Sequence, residues 1–111
     1  RRYREALADV EEVRFPEDPP WEHTHARHLA VVMVEDRERT AAALRDDWNV
    51  DTGLHFPLCH ELTYYRRKYG ERSLPAAEEA GRRILSLPLF PGMSDEDIDY
   101  VAAAVREAVK A

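Results

Sequence analysis

The sequence predicts an α/β (α+β) domain in which a short sheet is covered by helices on one face. Three observations predict it. Brief apolar runs at 29–34, 50–56 and 84–88 alternate with stretches of helical periodicity. Proline, glycine and capping residues stand between these runs and punctuate them. The length of 111 residues supports one modest core, and 44% hydrophobic with 34% charged residues marks a folded chain, not a disordered one. Helices layered on one face of a small sheet bury this order of elements.

Arg1 to Val10 reads as a helix, because Tyr3, Leu7 and Val10 recur at spacings of four and three and make an apolar stripe. A helix this short is stable only when packed, or as the end of a longer one. Phe15 to Pro20 holds three prolines, which exclude a helix and a central strand. Leu29 to Val34 is a continuous apolar run, the pattern of a strand covered on both faces. Asp36 then caps a helix over 37–47 with Ala41 and Leu44 facing inward. Val50 to Phe56 reads as a second strand, bent at Gly53 and ended by Pro57. His60 to Tyr69 forms a short helix carrying Leu62, Tyr65 and Tyr69, stopped by Gly70.

Ser73 caps the next helix, and Pro75 fits its first turn, with the helix running to Arg83. Ile84 to Pro88 is a third short apolar strand, and Pro88 sets it at an edge or an end. Ser94 and Asp97 make a variant capping box for the last helix. Acidic residues 95–97 complement its positive end, and Lys110 its negative end. Ile98, Val101, Val105 and Ala108 form its buried stripe, with Ala102 and Val109 beside them.

The net charge of −6, with no basic run interleaved with aromatics, argues against a nucleic-acid partner. The longest apolar run is too short to span a bilayer, and the first residues do not read as a signal peptide. A cytoplasmic protein with no membrane partner is expected. The single cysteine, Cys59, excludes an internal disulfide. With no third group to orient it beside His60, Cys59 reads as a small buried hydrophobe and not as a nucleophile.

The chemistry-bearing residues concentrate in Gly53-Leu54-His55-Phe56-Pro57-Leu58-Cys59-His60. Two histidines and a cysteine gather where a strand gives way to a helix, and scaffolds place binding groups in such loops. Imidazole can donate or accept there, and a helix start adds free N–H groups for an anion. The plainer alternative is a structural loop whose histidines only cap and bridge. His23, His25 and His28 form a second group. His23 and His25 share a face of an extended chain while His28 does not, so an ordinary polar strand entry is preferred over a metal site. In Tyr64-Tyr65-Arg66-Arg67-Lys68, Tyr65 is expected to point inward beneath a basic outer face, with one Arg or Tyr at a substrate phosphate as the alternative. Trp21 and Trp48 read as packing anchors. Lys68 and Lys110 are the only lysines.

Three stretches together resemble the C-terminal small domain of the DegT/DnrJ/EryC1/StrS family of sugar aminotransferases. They are the 53–60 loop followed by Tyr64-Tyr65, then Leu74-Pro75-Ala76-Ala77-Glu78, then Ile84-Leu85-Ser86-Leu87-Pro88-Leu89-Phe90-Pro91-Gly92-Met93-Ser94. The resemblance covers nearly the whole chain. It implies the small domain of a fold-type I transferase dependent on pyridoxal 5'-phosphate, with a short, mostly antiparallel sheet. Residues 1–12 would end the helix joining two domains, and 13–111 would form the small domain. It implies transfer of an amino group from glutamate to a keto sugar linked to a nucleoside diphosphate, in a homodimer, with the cofactor held mainly by a large domain of the same protein. His60 would line the sugar-nucleotide side, with His55 and Tyr64 as weaker candidates. No catalytic or metal-binding residue is assigned within the chain. Neither lysine suits a Schiff base, so the 111 residues are expected to be a fragment without transaminase activity of its own. Richness in histidine over 21–28 departs from the family pattern. A sugar dehydratase of the same family, a non-catalytic interaction or regulatory module, and a small metal-binding domain remain as other readings.

Overall fold

The computed structural model describes residues 1–111, whose elements follow in the order α1 (Arg2–Ala6), β1 (Ala30–Met33), α2 (Arg37–Trp48), α3 (Thr63–Tyr69), α4 (Pro75–Arg83), β2 (Ile84–Leu87) and α5 (Asp95–Ala108). A single 3₁₀ turn, Cys59–Glu61, precedes α3. β1 and β2 pair antiparallel, with Val32 opposite Leu85 and Ala30 opposite Leu87. Opposed residues share a face, and this face carries the buried Val32, Leu85 and Leu87. On the other face Val31, Met33 and Ile84 are only half-buried, so β1 is fully covered on one side and not on both. Arg14 bridges the free edge of β1 at Met33, and Gly53 bridges the free edge of β2 at Ser86.

Helices α1, α2 and α5 supply the rest of the core. Leu44 of α2 and Ala104 and Val105 of α5 are wholly buried, beside Tyr3 and Leu7 of the N-terminal segment. Two of the three expected N-terminal caps form. Asp36 accepts from the Arg39 N–H at 3.0 Å, and α2 ends on Asn49 in the left-handed region at φ 52°. Ser94 Oγ accepts from the Asp97 N–H at 3.1 Å, while Asp97 Oδ2 accepts from the Ser94 N–H at 2.9 Å, which satisfies two orphan donors of α5 reciprocally. Trp48 is a packing anchor as expected: its ring meets Tyr100 edge to face at 5.8 Å.

Helix α1 stops at Ala6, short of the expected Val10, although Tyr3, Leu7 and Val10 are all buried. Arg106 of α5 provides the reason. Its guanidinium donates to the Ala6 carbonyl at 2.9 Å and to both Asp9 oxygens at 2.8 Å, so tertiary contacts satisfy the end of the helix and the chain turns there. Arg2 in turn grips Asp95 and Asp99 at the start of α5.

From Asp51 to Ile84 no side chain is fully buried. This 34-residue stretch, counted from those two numbers, accounts for most departures from the sequence expectations. The strand expected over 50–56 shrinks to the one bridge at Gly53, because beyond it Leu54 and Phe56 turn to solvent with no partner strand to pair them. Cys59 is exposed and lines an open groove instead of entering the core. Tyr65 is exposed and stacks on Tyr69, with ring centroids 6.3 Å apart, instead of entering the core. Ser73 caps nothing; the N-cap position of α4 falls on Leu74, whose side chain makes no capping bond. Outside this stretch, Trp21 is 69% exposed in a segment of no regular structure, so it anchors no packing. The radius of gyration, 15.5 Å, exceeds the ~13 Å of a compact chain of about 100 residues, as an overhanging segment requires.

The core makes three outcomes testable by chemical or thermal denaturation. Leu44→Ala, which empties a wholly buried site, costs about 2–5 kcal/mol. Ser94→Ala costs about 1 kcal/mol by removing one half of the capping box. The hydrogen bonds from Arg106 hold the Asp9 carboxyl below its usual 3.8, at about 2. A depressed carboxyl stabilises above its unfolded value and loses that contribution as the pH falls through its folded one. Asp9→Asn therefore flattens the stability profile between about pH 4 and pH 2, and an unchanged acid limb would contradict the role given to this pair.

Candidate functional site

Helix α4 is the platform on which the histidine-bearing loop rests. Pro75 opens it with a backbone already suited to a first turn. Its N-terminal N–H groups lack a conventional cap, and Glu78 takes that place by folding back so that Oε1 accepts from the Leu74 N–H at 2.9 Å. One turn along, Gly81 presents bare backbone. A Cβ there would meet Leu58 at 2.8 Å, so the absence of a side chain lets Leu58 lie directly on the helix. Arg37 of α2 donates to the Gly81 carbonyl and ties the platform to the core.

His60 is the second point of attachment. Its Nε2 lies 3.1 Å from Glu78 Oε1, the same oxygen that accepts from Leu74. The His60 side chain is 10% exposed and that of Glu78 27%, so the pair is sheltered without being sealed. The Leu74 N–H first, and the His60 ring second, hold the Glu78 carboxyl below the usual carboxylate range. Residues 78 and 81 lie on one face of α4, three positions apart, so His60 and Leu58 dock side by side.

Two grooves flank this attachment. An apolar groove of about 550 Å³ runs past Pro57, Cys59, His60, Tyr65, Tyr69 and Leu74, with Arg72 at its margin. A smaller one, about 230 Å³, is lined by Glu78 itself with Arg37, Phe56, Glu61 and Arg82. His55 belongs to neither. Its ring folds back over Gly53 and lines a separate shallow groove of about 300 Å³ with Asp51, Ser86 and Leu89. Tyr64 lies on the outer surface of α3, 62% exposed, its ring edge-on to Tyr65 and its hydroxyl accepting from Lys68 at 3.3 Å. The three residues singled out from the sequence are thus not brought to one point, and His60 alone combines shelter, a charged partner and an apolar groove.

The second histidine group makes local contacts. His23 Nδ1 lies 2.8 Å from the Trp21 carbonyl, and His25 Nδ1 accepts from the Arg27 N–H at 2.9 Å. No three His, Cys, Asp or Glu side chains are grouped to hold a metal ion. No helix is long and apolar enough to cross a membrane.

Glu78, Leu58 and Arg72 were not singled out as site residues from the sequence. Glu78 stands in a quoted motif, but its contact with His60 spans 18 positions, beyond any local pattern. The nearer signal was its spacing of four from Leu74, which lets a carboxylate reach back to the N–H that opens the helix.

A family profile described as the DegT/DnrJ/EryC1/StrS aminotransferase family matches residues 1–106. The spore coat polysaccharide biosynthesis protein SpsC of Bacillus subtilis (strain 168) is 37% identical over 99% of this chain, which spans 32% of that protein. Among solved structures, the aminotransferase TlmJ from Streptoalloteichus hindustanus superposes with a TM-score of 0.86 at 32% identity, over 98% of this chain and 29% of its own. NtdA from Bacillus subtilis, solved with bound cofactor PMP, superposes with a TM-score of 0.82 at 27% identity, over 99% of this chain and 26% of its own. The chain therefore spans about a third of the length of the relatives it matches. A short antiparallel sheet flanked by helices is the architecture it shares with these fold-type I transferases. The match over residues 1–106 establishes that the chain belongs to the DegT/DnrJ/EryC1/StrS aminotransferase family.

Proposed function

We propose that this chain is the C-terminal small domain of a pyridoxal-phosphate-dependent aminotransferase. The complete protein moves an amino group from glutamate to a keto sugar carried on a nucleoside diphosphate. The observation that carries the reading is the family relation over residues 1–106, in relatives about three times as long. Their named roles agree with it: SpsC is a polysaccharide biosynthesis protein, and NtdA was solved with PMP.

The residues present do not fit the covalent anchor of the cofactor. Lys68 Nζ donates to the Tyr64 hydroxyl at 3.3 Å and sits 5.3 Å from the Tyr69 ring centroid, on the outer side of α3. Lys110 follows the end of α5, beside Asp47 and Glu107. Neither enters the groove that His60 lines. In this reading the cofactor is held by the large domain, and the 111 residues supply one wall of the substrate cleft.

His60 is the residue of this wall assigned to the sugar nucleotide. Leu54, Phe56, Leu62, Tyr65, Tyr69 and Leu74 are all exposed on the segment that carries it, and such a concentration of large apolar side chains marks an interaction surface. They meet the large domain of the same protein or of the second subunit in a homodimer. His55 and Tyr64, on separate surfaces, take at most peripheral parts.

Two measurements test the reading. His60→Ala in the full-length protein raises KM for the sugar nucleotide roughly tenfold, the cost of one hydrogen bond to a charged or strongly polar group, and leaves KM for glutamate unchanged. Equal effects on both substrates would contradict the assignment. The 111-residue chain alone, given pyridoxal phosphate and glutamate, forms 2-oxoglutarate no faster than the same mixture without protein. Turnover by the isolated chain would end the division of labour proposed.

A further inference from the structure

His60 makes one side-chain hydrogen bond, and its chemistry decides which ring nitrogen is left for a ligand. An ionised carboxylate only accepts. Glu78 Oε1 already accepts from the Leu74 N–H, so the nitrogen 3.1 Å from it, Nε2, must carry a proton. The nitrogen without a partner is then Nδ1, on the ring that lines the 550 Å³ groove. In the neutral ring Nδ1 accepts from a hydroxyl; in the imidazolium it donates to a phosphate oxygen. Both groups occur on a sugar nucleotide.

Glu78 is well placed to fix this choice. Its own position is set by the Leu74 N–H at the first turn of α4, and the helix beneath it is tied to the core through Arg37 and to the loop through Leu58 at Gly81. A carboxylate that orients a histidine by holding one of its N–H groups is a recurrent device for selecting the tautomer of the other nitrogen. Around it, Arg82 lies one helical turn away and Glu61 lines the neighbouring groove, but neither bonds the ring.

We infer that Glu78 is a positioning residue, which holds His60 in the Nε2–H form with Nδ1 turned to the substrate groove. The inference rests on the proposal that His60 meets the sugar nucleotide, and its test separates the two. The alternative role for Glu78 is only to satisfy the N–H that opens α4.

The experiment is a double-mutant cycle in the full-length protein with a nucleoside diphosphate keto sugar as the probe. Glu78→Leu raises KM for the sugar nucleotide roughly tenfold with KM for glutamate unchanged. Glu78→Gln keeps an acceptor oxygen for both donors and stays within about threefold of wild type. In the His60→Ala background Glu78→Leu adds no further increase, because the residue acts through a ring that is gone. Nitrogen NMR of the imidazole finds His60 protonated at Nε2 in wild type and mixed in tautomer in Glu78→Leu. Additive KM effects, or the same tautomer mixture in both proteins, would overturn the inference while a large effect of His60→Ala keeps the substrate assignment standing. A silent His60→Ala would overturn the substrate assignment first, and the positioning role with it.

Discussion

A loop with no buried side chain of its own must be held by directed contacts, and here those contacts converge on one helix. Between Asp51 and Ile84 the chain adds nothing to the sealed core. Its placement depends on Leu58 against the bare backbone of Gly81 and on the His60–Glu78 hydrogen bond beside it. Helix α4 transmits the restraint. It runs directly into β2, and Arg37 clamps its last turn to α2. The core fixes β2 and α2, these fix α4, and α4 fixes the histidine. Without α4 the loop would retain only the single bridge at Gly53.

The same economy explains the surface. A segment that fully buries no side chain while exposing Phe56, Tyr65, Tyr69 and Leu74 gains little from hydrophobic burial as it stands. Such a surface suits a wall that closes against other residues. The histidine is then sheltered enough to be oriented and open enough to be reached, at 10% exposure of its side chain. The core proper is built differently, from α1, α2 and α5 packed on one side of two strands, with Arg2 and Arg106 stitching the N-terminal segment to α5 by charged hydrogen bonds.

How much of this was legible in the sequence follows the same division. Where short-range chemistry decides the structure, sequence and fold agree, except at Ser73, which caps nothing. Asp36, Ser94 and Asp97 cap the helices expected of them, and the apolar runs at β1 and β2 pair. Where burial was assumed from residue type alone, it failed. Trp21, Cys59 and Tyr65 are apolar or amphipathic, but none of them reaches the core cluster, so type did not become burial. The strand expected over 50–56 failed likewise, because apolar residues specify a strand only when a partner and a covered face exist. Helix α1 ended early for a reason 100 residues away, the bond from Arg106 to Ala6. His60 was legible as a candidate from its place at a loop–helix junction, while its partner was not, because contact between positions 60 and 78 is a product of the fold.

The most direct measurement of the account is a crystal structure of the full-length protein with pyridoxamine phosphate and the proposed sugar nucleotide bound. The account places residues 54–74 against the large domain or the second subunit, with His60 Nε2 still on Glu78 and Nδ1 within hydrogen-bond distance of the sugar nucleotide. A structure in which that segment faces open solvent and His60 lies away from the ligand would contradict it.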